Sequence, residues 1–325
     1  IIVKGGGVLE KLATAKIAVF DKTGTLTYGT PALAVVRPQP GFSEDDLIAA
    51  VASAEQYSSH VLAAAFIAAA RARGLPLMDA EWAHEEATNG IRARIGGREV
   101  VVGKYAFIDK LVADAVRAEI APGQLAVYVA IDGRFAGSLL ASDRVRDNAR
   151  ATLARLRELG VRQTMILTGD AQATADHIAA EVGVTSVLAD CLPIDKVNAV
   201  RALTHGPTIM VGDGVNDAPV LAAADVGIAM GAKGATAASE SADAVILIDD
   251  ISRVAKAVEI GRDTVRIALQ SIWLGIAASL VLMVVAAGGF IPATVGALLQ
   301  EVVDLATIIA ALRAIGGRAD ARRTA

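Results

Sequence analysis

Three short stretches of this sequence place oxygen-bearing side chains at the ends of apolar runs. Asp21 closes "KIAVF", with Thr23 two residues on; Thr168 and Asp170 close "QTMILTGD"; Asp213 and Asp217 lie in "TIMVGDGVNDAPVL". In an open α/β sheet, function gathers at the carboxyl ends of the strands. Carboxylates collected at one such edge repel each other. A divalent cation resolves that repulsion, and an all-oxygen set suits Mg²⁺. Lys196, beyond an intervening helix, and the threonines suit a phosphoryl group, whose negative charge is spread over several oxygens. Together the pattern reads as Mg²⁺-assisted phosphoryl transfer with a carboxylate as nucleophile. Each piece alone is weak, because a strand-end aspartate also serves as a helix cap.

The elements that position these groups follow from the apolar rhythm. "KIAVF" reads as a buried parallel strand, "QTMILTGD" as a strand ending in Asp170, "TIMVGDGVNDAPVL" as a strand, a turn and a helix start, and "DVGIAM" and "DAVILI" as two more strands. "RVRDNARATLARLRELG" and "AQATADHIAAEVG" read as helices between them. Strand–helix alternation of this kind predicts a parallel sheet covered by helices on both faces. Residues 31–136 interrupt it. They read as helices from Glu44 to Arg73 and as strands from about Arg92 onward, an α+β domain inserted into the sheet by two crossings. The expected segments are therefore 1–30 and 137–262 for the sheet domain and 31–136 for the insert.

Bulk composition points to a further part. Hydrophobic residues make up 54% of the 325 residues, and mean hydropathy is +0.49, high for a chain with no membrane segment. No charged residue occurs between Arg266 and Glu301. Within 263–315, residues 271–291 and 293–312 are each long enough for a bilayer-spanning helix, which needs ~20 residues, with a turn at Pro292. The alternative is a buried helical hairpin. Arginines flank both ends: Arg253, Arg262 and Arg266 before, and Arg313, Arg318, Arg322 and Arg323 after, the last three in a basic tail, 316–325. Positive residues favour the cytoplasmic side, which places both ends there. A net charge of -4 does not suggest a nucleic-acid partner. The single cysteine, Cys191, excludes an internal disulfide and reads as packing. The chain opens on "IIVKGGGVLEKL" with no initiator methionine, and is expected to be the C-terminal portion of something longer.

"DKTGTLT", "LTGD" and "VGDGVNDAPVL" together resemble the signatures of P-type ATPases, within the haloacid-dehalogenase-like superfamily, over nearly the whole chain. The resemblance implies a HAD-like Rossmannoid sheet, an inserted nucleotide-binding domain and a C-terminal transmembrane hairpin, with ATP and Mg²⁺ as cofactors. It implies that Asp21 is phosphorylated by ATP and that Lys22 belongs to the same motif. Mg²⁺ is expected on Asp21, Asp213 and the Thr23 carbonyl. Thr168 is expected on the phosphoryl oxygens, with Gly169 and Asp170 completing its loop, Lys196 neutralising charge, and Asn216 and Asp217 completing the site. Asp143 matches the family's hinge aspartate. Related phosphatases carry a second aspartate two residues after the nucleophile, as an acid–base group. Thr23 stands there instead, so an aspartyl-phosphate should persist through a conformational change. In the family an actuator domain supplies the hydrolytic groups, and that domain and earlier membrane helices are expected outside this stretch. A phosphatase of the same superfamily and a truncated, non-transporting ATP-binding membrane protein are the rival readings.

The insert resembles that of the heavy-metal branch, P1B. "EQYSSHVLA" keeps Glu55 and His60 of the branch's nucleotide motif, while Ser59 and Val61 replace the usual Glu and Pro. "EEATNGI" has Thr88 for the first expected glycine but keeps Gly90 and Ile91; Gly103 matches a nucleotide-contacting glycine, with Lys104 in place of Asn. Gln300, Glu301, Asp304 and Thr307 share one helix face of the second span. Carboxylates in a bilayer are costly and usually functional, so Glu301 and Asp304 are the candidate ligands of a transported ion, unless they only bond neighbouring helices. Oxygen donors favour a divalent transition metal over Cu⁺. The expected partners are thus ATP, a divalent metal cargo and a lipid bilayer, with the plasma membrane as location.

Overall fold

The computed structural model describes residues 1–86, 89–213, 217–231 and 240–314. In chain order the strands are β1 (Ile2–Val3), β2 (Ile17–Asp21), β3 (Thr27–Pro38), β4 (Ala80–Glu86), β5 (Gly90–Ile95), β6 (Arg98–Gly103), β7 (Gln124–Ile131), β8 (Arg134–Val145), β9 (Gln163–Leu167), β10 (Ser186–Leu188), β11 (Thr208–Gly212), β12 (Val226–Met230) and β13 (Ala244–Ile246). They form two sheets, in two compact units. One unit comprises Ile1–Asp21, Asp147–Gly169 and Ala179–Ala325; the other comprises Lys22–Arg146 and Asp170–Ile178.

The first unit is built on a seven-stranded sheet of order β1-β13-β12-β11-β2-β9-β10, parallel throughout except for β1 against β13. β2 is buried along its whole length, as an unbroken apolar run between two covered faces should be. The chain passes from β2 to β9 and β10 on one side, then returns to lay β11, β12 and β13 on the other. That reversal makes the carboxyl end of β2 a topological switch point, where such sheets open a crevice. The Pro193–Arg201 and Ala218–Ala223 helices cover one face with Val197, Val200, Val220 and Leu221 against Ile17, Val19 and Met210. Leu12 of the Gly6–Thr14 helix, Leu153 and Leu156 of the Ala149–Glu158 helix, and Val254 and Val258 of the Ser252–Ala287 helix are all fully buried; the last of these helices packs against the other two.

The Ser252–Ala287 helix begins nineteen residues ahead of the apolar run that marked it and stops short of Ile291. Upstream, Val254, Ala255, Val258 and Gly261 form a stripe at helical spacing that docks on the sheet domain. Downstream, Gly288 caps the helix and Gly289 takes φ +75°, which ends it. The Ala293–Leu312 helix follows, packed against it. Both helices are long and apolar enough to cross a membrane, with mean hydropathies of 2.1 and 1.8 in their most apolar stretches and only 6% and 0% of those stretches buried. The chain's own core thus leaves the hairpin uncovered, unlike a buried helical hairpin. The basic tail 316–325 lies outside the described residues.

The second unit is a six-stranded antiparallel sheet of order β3-β8-β7-β6-β5-β4. Positions 31 and 136, the expected edges of the insert, fall within its long strands β3 and β8. The Glu44–Glu55 helix starts at a capping box, Ser43 with Asp46, and with the Ala63–Ala72 helix it buries Leu47, Ile48, Val51 and Phe66 against one face. The short Tyr105–Ile108 helix covers part of the opposite face, over Val101, Tyr128 and Phe135.

Candidate functional site

In the first unit, Asp21 is the last residue of β2 and is 7% exposed. The Pro193–Arg201 helix brings Lys196 to it, and the start of the Ala218–Ala223 helix brings Asp217. Lys196 Nζ donates to Asp21 Oδ1 at 2.5 Å and to Asp217 Oδ1 at 3.3 Å. Gly212 permits this approach of Asp217, because a Cβ there would meet Asp217 Oδ2 at 2.7 Å. Thr168 is 3% exposed and lies one residue past the level of Asp21, since Asp21 pairs with Leu167. Its carbonyl accepts the Cys191 N–H, and its own N–H donates to Leu188, which fixes the loop that Gly169 continues. Asp213 follows β11 directly and is half-buried. Asn216 lies outside the described residues.

The electrostatics follow from this packing. Burial, then the nearby Asp217 charge, push the Asp21 carboxyl up to about 6; Lys196 opposes them, and Asp213 adds to the rise. Burial also raises Asp217 against the pull of Lys196. Burial on its own would lower the Lys196 ammonium, but Asp21 and Asp217 outweigh it and push the group up. At neutral pH Asp21 is therefore mostly ionised, with little water around it. Such a carboxylate is a suitable nucleophile. Among the described residues no three His, Cys, Asp or Glu side chains form a ready cage for a metal. Mg²⁺ does not require one: it keeps several waters and binds one or two carboxylates plus substrate phosphate. The hard, all-oxygen, surplus-negative donors here fit it.

The remaining phosphorylation-motif residues fall in the second unit. Lys22 is 8% exposed and forms an ion pair with Asp170. Thr23 is exposed, in extended backbone (φ -74°, ψ 129°), before Gly24 at φ +72°. Two side chains fasten this turn. Asp143 accepts from Thr27 Oγ1 at 2.6 Å and from the Gly29 N–H at 3.0 Å. Arg146, 4% exposed, donates to the carbonyls of Thr25 and Gly24 at 2.9 and 3.0 Å. Arg146 was not among the residues expected from sequence; the pair Arg144 and Arg146 at the end of an apolar run was the available signal.

The expected nucleotide residues share the second unit but have different surroundings. Glu55 is 5% exposed at the end of its helix, and its buried Oε2 has no hydrogen-bond partner among the described residues. Burial, chiefly, raises its carboxyl to about 7; Glu85 adds to the rise and Ser58 opposes it. His60 is exposed, with Nδ1 accepting from the Leu62 N–H. Gly90 and Gly103 stand opposite each other in the β5–β6 ladder. A Cβ on Gly90 would meet Val102 O at 2.1 Å, and one on Gly103 would meet Asn89 O at 2.5 Å. These glycines are thus explained by strand contact alone. Ile91 points its side chain into the core, so only its backbone remains for a ligand. Thr88 lies outside the described residues.

In the hairpin, Gln300 Nε2 donates to Ser279 Oγ of the preceding helix at 3.1 Å and to Asp304 Oδ1 at 3.0 Å. Thr307 sits against Gly275, where a Cβ would meet its methyl at 2.9 Å. Gln300 and Thr307 thus line the contact between the two helices, whereas Glu301 and Asp304 are both exposed.

The family model for haloacid dehalogenase-like hydrolases matches residues 15–225. The chain is 38% identical over 294 residues to a cadmium, zinc and cobalt-transporting ATPase of Bacillus subtilis, covering 89% of this chain and 42% of that protein. It is 38% identical over 317 residues to copper-transporting ATPase 1 of Rhizobium meliloti, covering 95% and 38% respectively. The crystal structure of a zinc-transporting PIB-type ATPase in its E2.Pi state superposes with a TM-score of 0.85 at 32% identity, over 96% of this chain and 52% of that one. The chain spans about two-fifths of the length of the curated relatives it matches.

Proposed function

Because the chain belongs to the haloacid dehalogenase-like hydrolase family, we propose that Asp21 takes the terminal phosphoryl group of ATP and that the resulting aspartyl-phosphate drives a divalent transition-metal cation across a membrane. The observation that carries this reading is the meeting of Asp21, Lys196 and Asp217 at the switch point of the sheet.

In the transfer, an Asp21 carboxylate oxygen forms a bond to the γ-phosphorus, the bond from that phosphorus to the bridging oxygen breaks, and ADP leaves with the electron pair. Lys196 offsets the negative charge of the phosphoryl oxygens, and Thr168 is their hydrogen-bond donor. Asp21 and Asp213 are the residues that would hold Mg²⁺, which when bound neutralises phosphate charge. Asp217 keeps Lys196 in place. Thr23 leaves the position two residues after the nucleophile without a carboxylate, so water is not activated there and the intermediate persists. His60, Glu55, Gly90, the Ile91 backbone and Gly103 are the proposed nucleotide contacts.

The apolar hairpin anchors the chain in the plasma membrane, with both ends cytoplasmic. Glu301 and Asp304, oxygen donors in a membrane helix, support a divalent cargo of the zinc, cadmium or cobalt kind over Cu⁺. The experiment is acid-stable labelling from γ-labelled ATP with Mg²⁺. Label on the native chain and none on Asp21→Asn is the expected result; label retained by Asp21→Asn overturns the assignment. A panel of metal ions, scored by stimulation of ATP hydrolysis in the full-length protein, tests the cargo.

A further inference from the structure

The loop that carries His60 is shaped from outside itself. Glu85, on β4, accepts three hydrogen bonds from it: Ser58 Oγ and the Ser59 N–H donate to Oε1 at 2.9 and 3.0 Å, and Ser59 Oγ donates to Oε2 at 3.0 Å. Ser58 Oγ in turn accepts the His60 N–H at 3.1 Å. Leu62 N–H donates to His60 Nδ1 at 3.3 Å. In the neutral imidazole this leaves the proton on Nε2. The hydrogen bonds from Ser58 and Ser59 hold the Glu85 carboxyl below the usual glutamate range, so at neutral pH it only accepts. Val61, 64% exposed, contributes no ring constraint to the backbone here. Rigidity in this loop therefore comes from a carboxylate across the fold.

We propose that Glu85 is a positioning residue for adenine nucleotide: by bonding Ser58 and Ser59 it holds the loop so that exposed His60 presents Nε2–H and its ring face to the base. The proposal rests on His60 as a nucleotide contact. An ordered loop meets its ligand without paying the ordering entropy at the moment of binding.

The test uses the full chain in detergent micelles and Mg²⁺-free ATP, titrated calorimetrically. Glu85→Ala weakens ATP binding roughly three- to tenfold. Glu85→Gln stays near the native affinity, since its amide oxygen still accepts from Ser58 and the Ser59 N–H. In a His60→Ala background, Glu85→Ala adds no further loss, because its effect passes through His60. The ¹⁵N spectrum of His60 shows the Nε2–H tautomer in the native chain and a tautomer mixture in Glu85→Ala. Labelling of Asp21 by acetyl phosphate, which has no base, is unchanged, and an unchanged far-UV circular dichroism spectrum shows that the second unit is still folded. Native affinity in Glu85→Ala together with a loss in His60→Ala overturns the proposal and leaves the nucleotide site standing. So does a loss that is additive in the double variant. Native affinity in His60→Ala overturns the nucleotide reading itself.

Discussion

Lys196 stands between two buried carboxylates, so its removal does more than delete one positive charge. Asp21 and Asp217 are left facing each other in a desolvated place, and the incoming phosphoryl group loses its counter-charge. Loss of one preorganised electrostatic contact of this kind slows chemistry by about 10²–10³-fold. Lys196→Met is therefore expected to slow acid-stable labelling of Asp21 by that factor in rapid-quench experiments, with Lys196→Arg falling between. Glu55 has the opposite problem: a buried carboxyl with an oxygen unpartnered among the described residues. Its ordinary value of 4.5 rises to about 7 in the fold, so between those pH values the folded chain holds a proton that the unfolded chain has released. Stability from this group is then greatest below pH 4.5, falls as pH rises to 7 and is flat above. The Tm of the native chain should drop relative to Glu55→Gln across that window, and the Glu55 carboxyl ¹³C shift should titrate near its upper end. A constant Tm difference from pH 5 to 8 would contradict the assignment. Asp21 and Asp217 were legible in sequence because each ends or begins an element whose period is plain, whereas Lys196, inside the Pro193–Arg201 helix, was legible only as a cation in order with the acidic motifs. Arg146 and Glu85 were not, because their partners lie across a sheet, where local spacing carries no signal.

At the scale of elements, the β5–β6 pair shows two glycines that the fold itself requires. From sequence, Gly90 and Gly103 suggest backbone open to a ligand; in the fold they also make room for each other's strand, with Val102 O and Asn89 O where their Cβ atoms would stand. Gly103→Val forces Phe107 and the ladder apart, an overpacking cost of about 1–3 kcal/mol. The expected outcome is a lower Tm for the second unit with unchanged acetyl-phosphate labelling of Asp21; an unchanged Tm would mean that the ladder does not require this glycine. The helix starting at Ser252 makes the complementary point. Hydropathy marked only its apolar part, because the upstream turns are amphipathic and bury a narrow stripe of Val254, Ala255, Val258 and Gly261. Its end was misplaced because Gly288 and Gly289 stop a helix even inside an apolar run.

At the scale of the whole molecule, that helix has two environments along one rod. Its 36 residues extend about 54 Å at 1.5 Å per residue. The first turns dock on the sheet domain. Beyond Arg266, the last charged residue, 21 residues remain to Ala287, about 31 Å, which matches a hydrocarbon core of ~30 Å. Leu280, Met283 and Val284 there are 54%, 64% and 71% exposed, an apolar surface far beyond what a water-soluble chain leaves open. Anchoring and phosphoryl transfer should therefore be separable by cutting the rod between its two environments. A chain ending at Gln270 keeps Val254, Val258 and Gly261, and with them the packing of the Gly6–Thr14 helix that leads into β2 and Asp21. It is expected to be soluble without detergent and to form acid-stable phosphate on Asp21 at the rate of the full chain, whereas the full chain stays with membranes through alkaline carbonate extraction. If the shortened chain still needs detergent, the apolar surface lies elsewhere than the hairpin. If it is soluble but unlabelled, the hairpin supports the Asp21 site directly, and the docked turns alone do not hold that site in its working form.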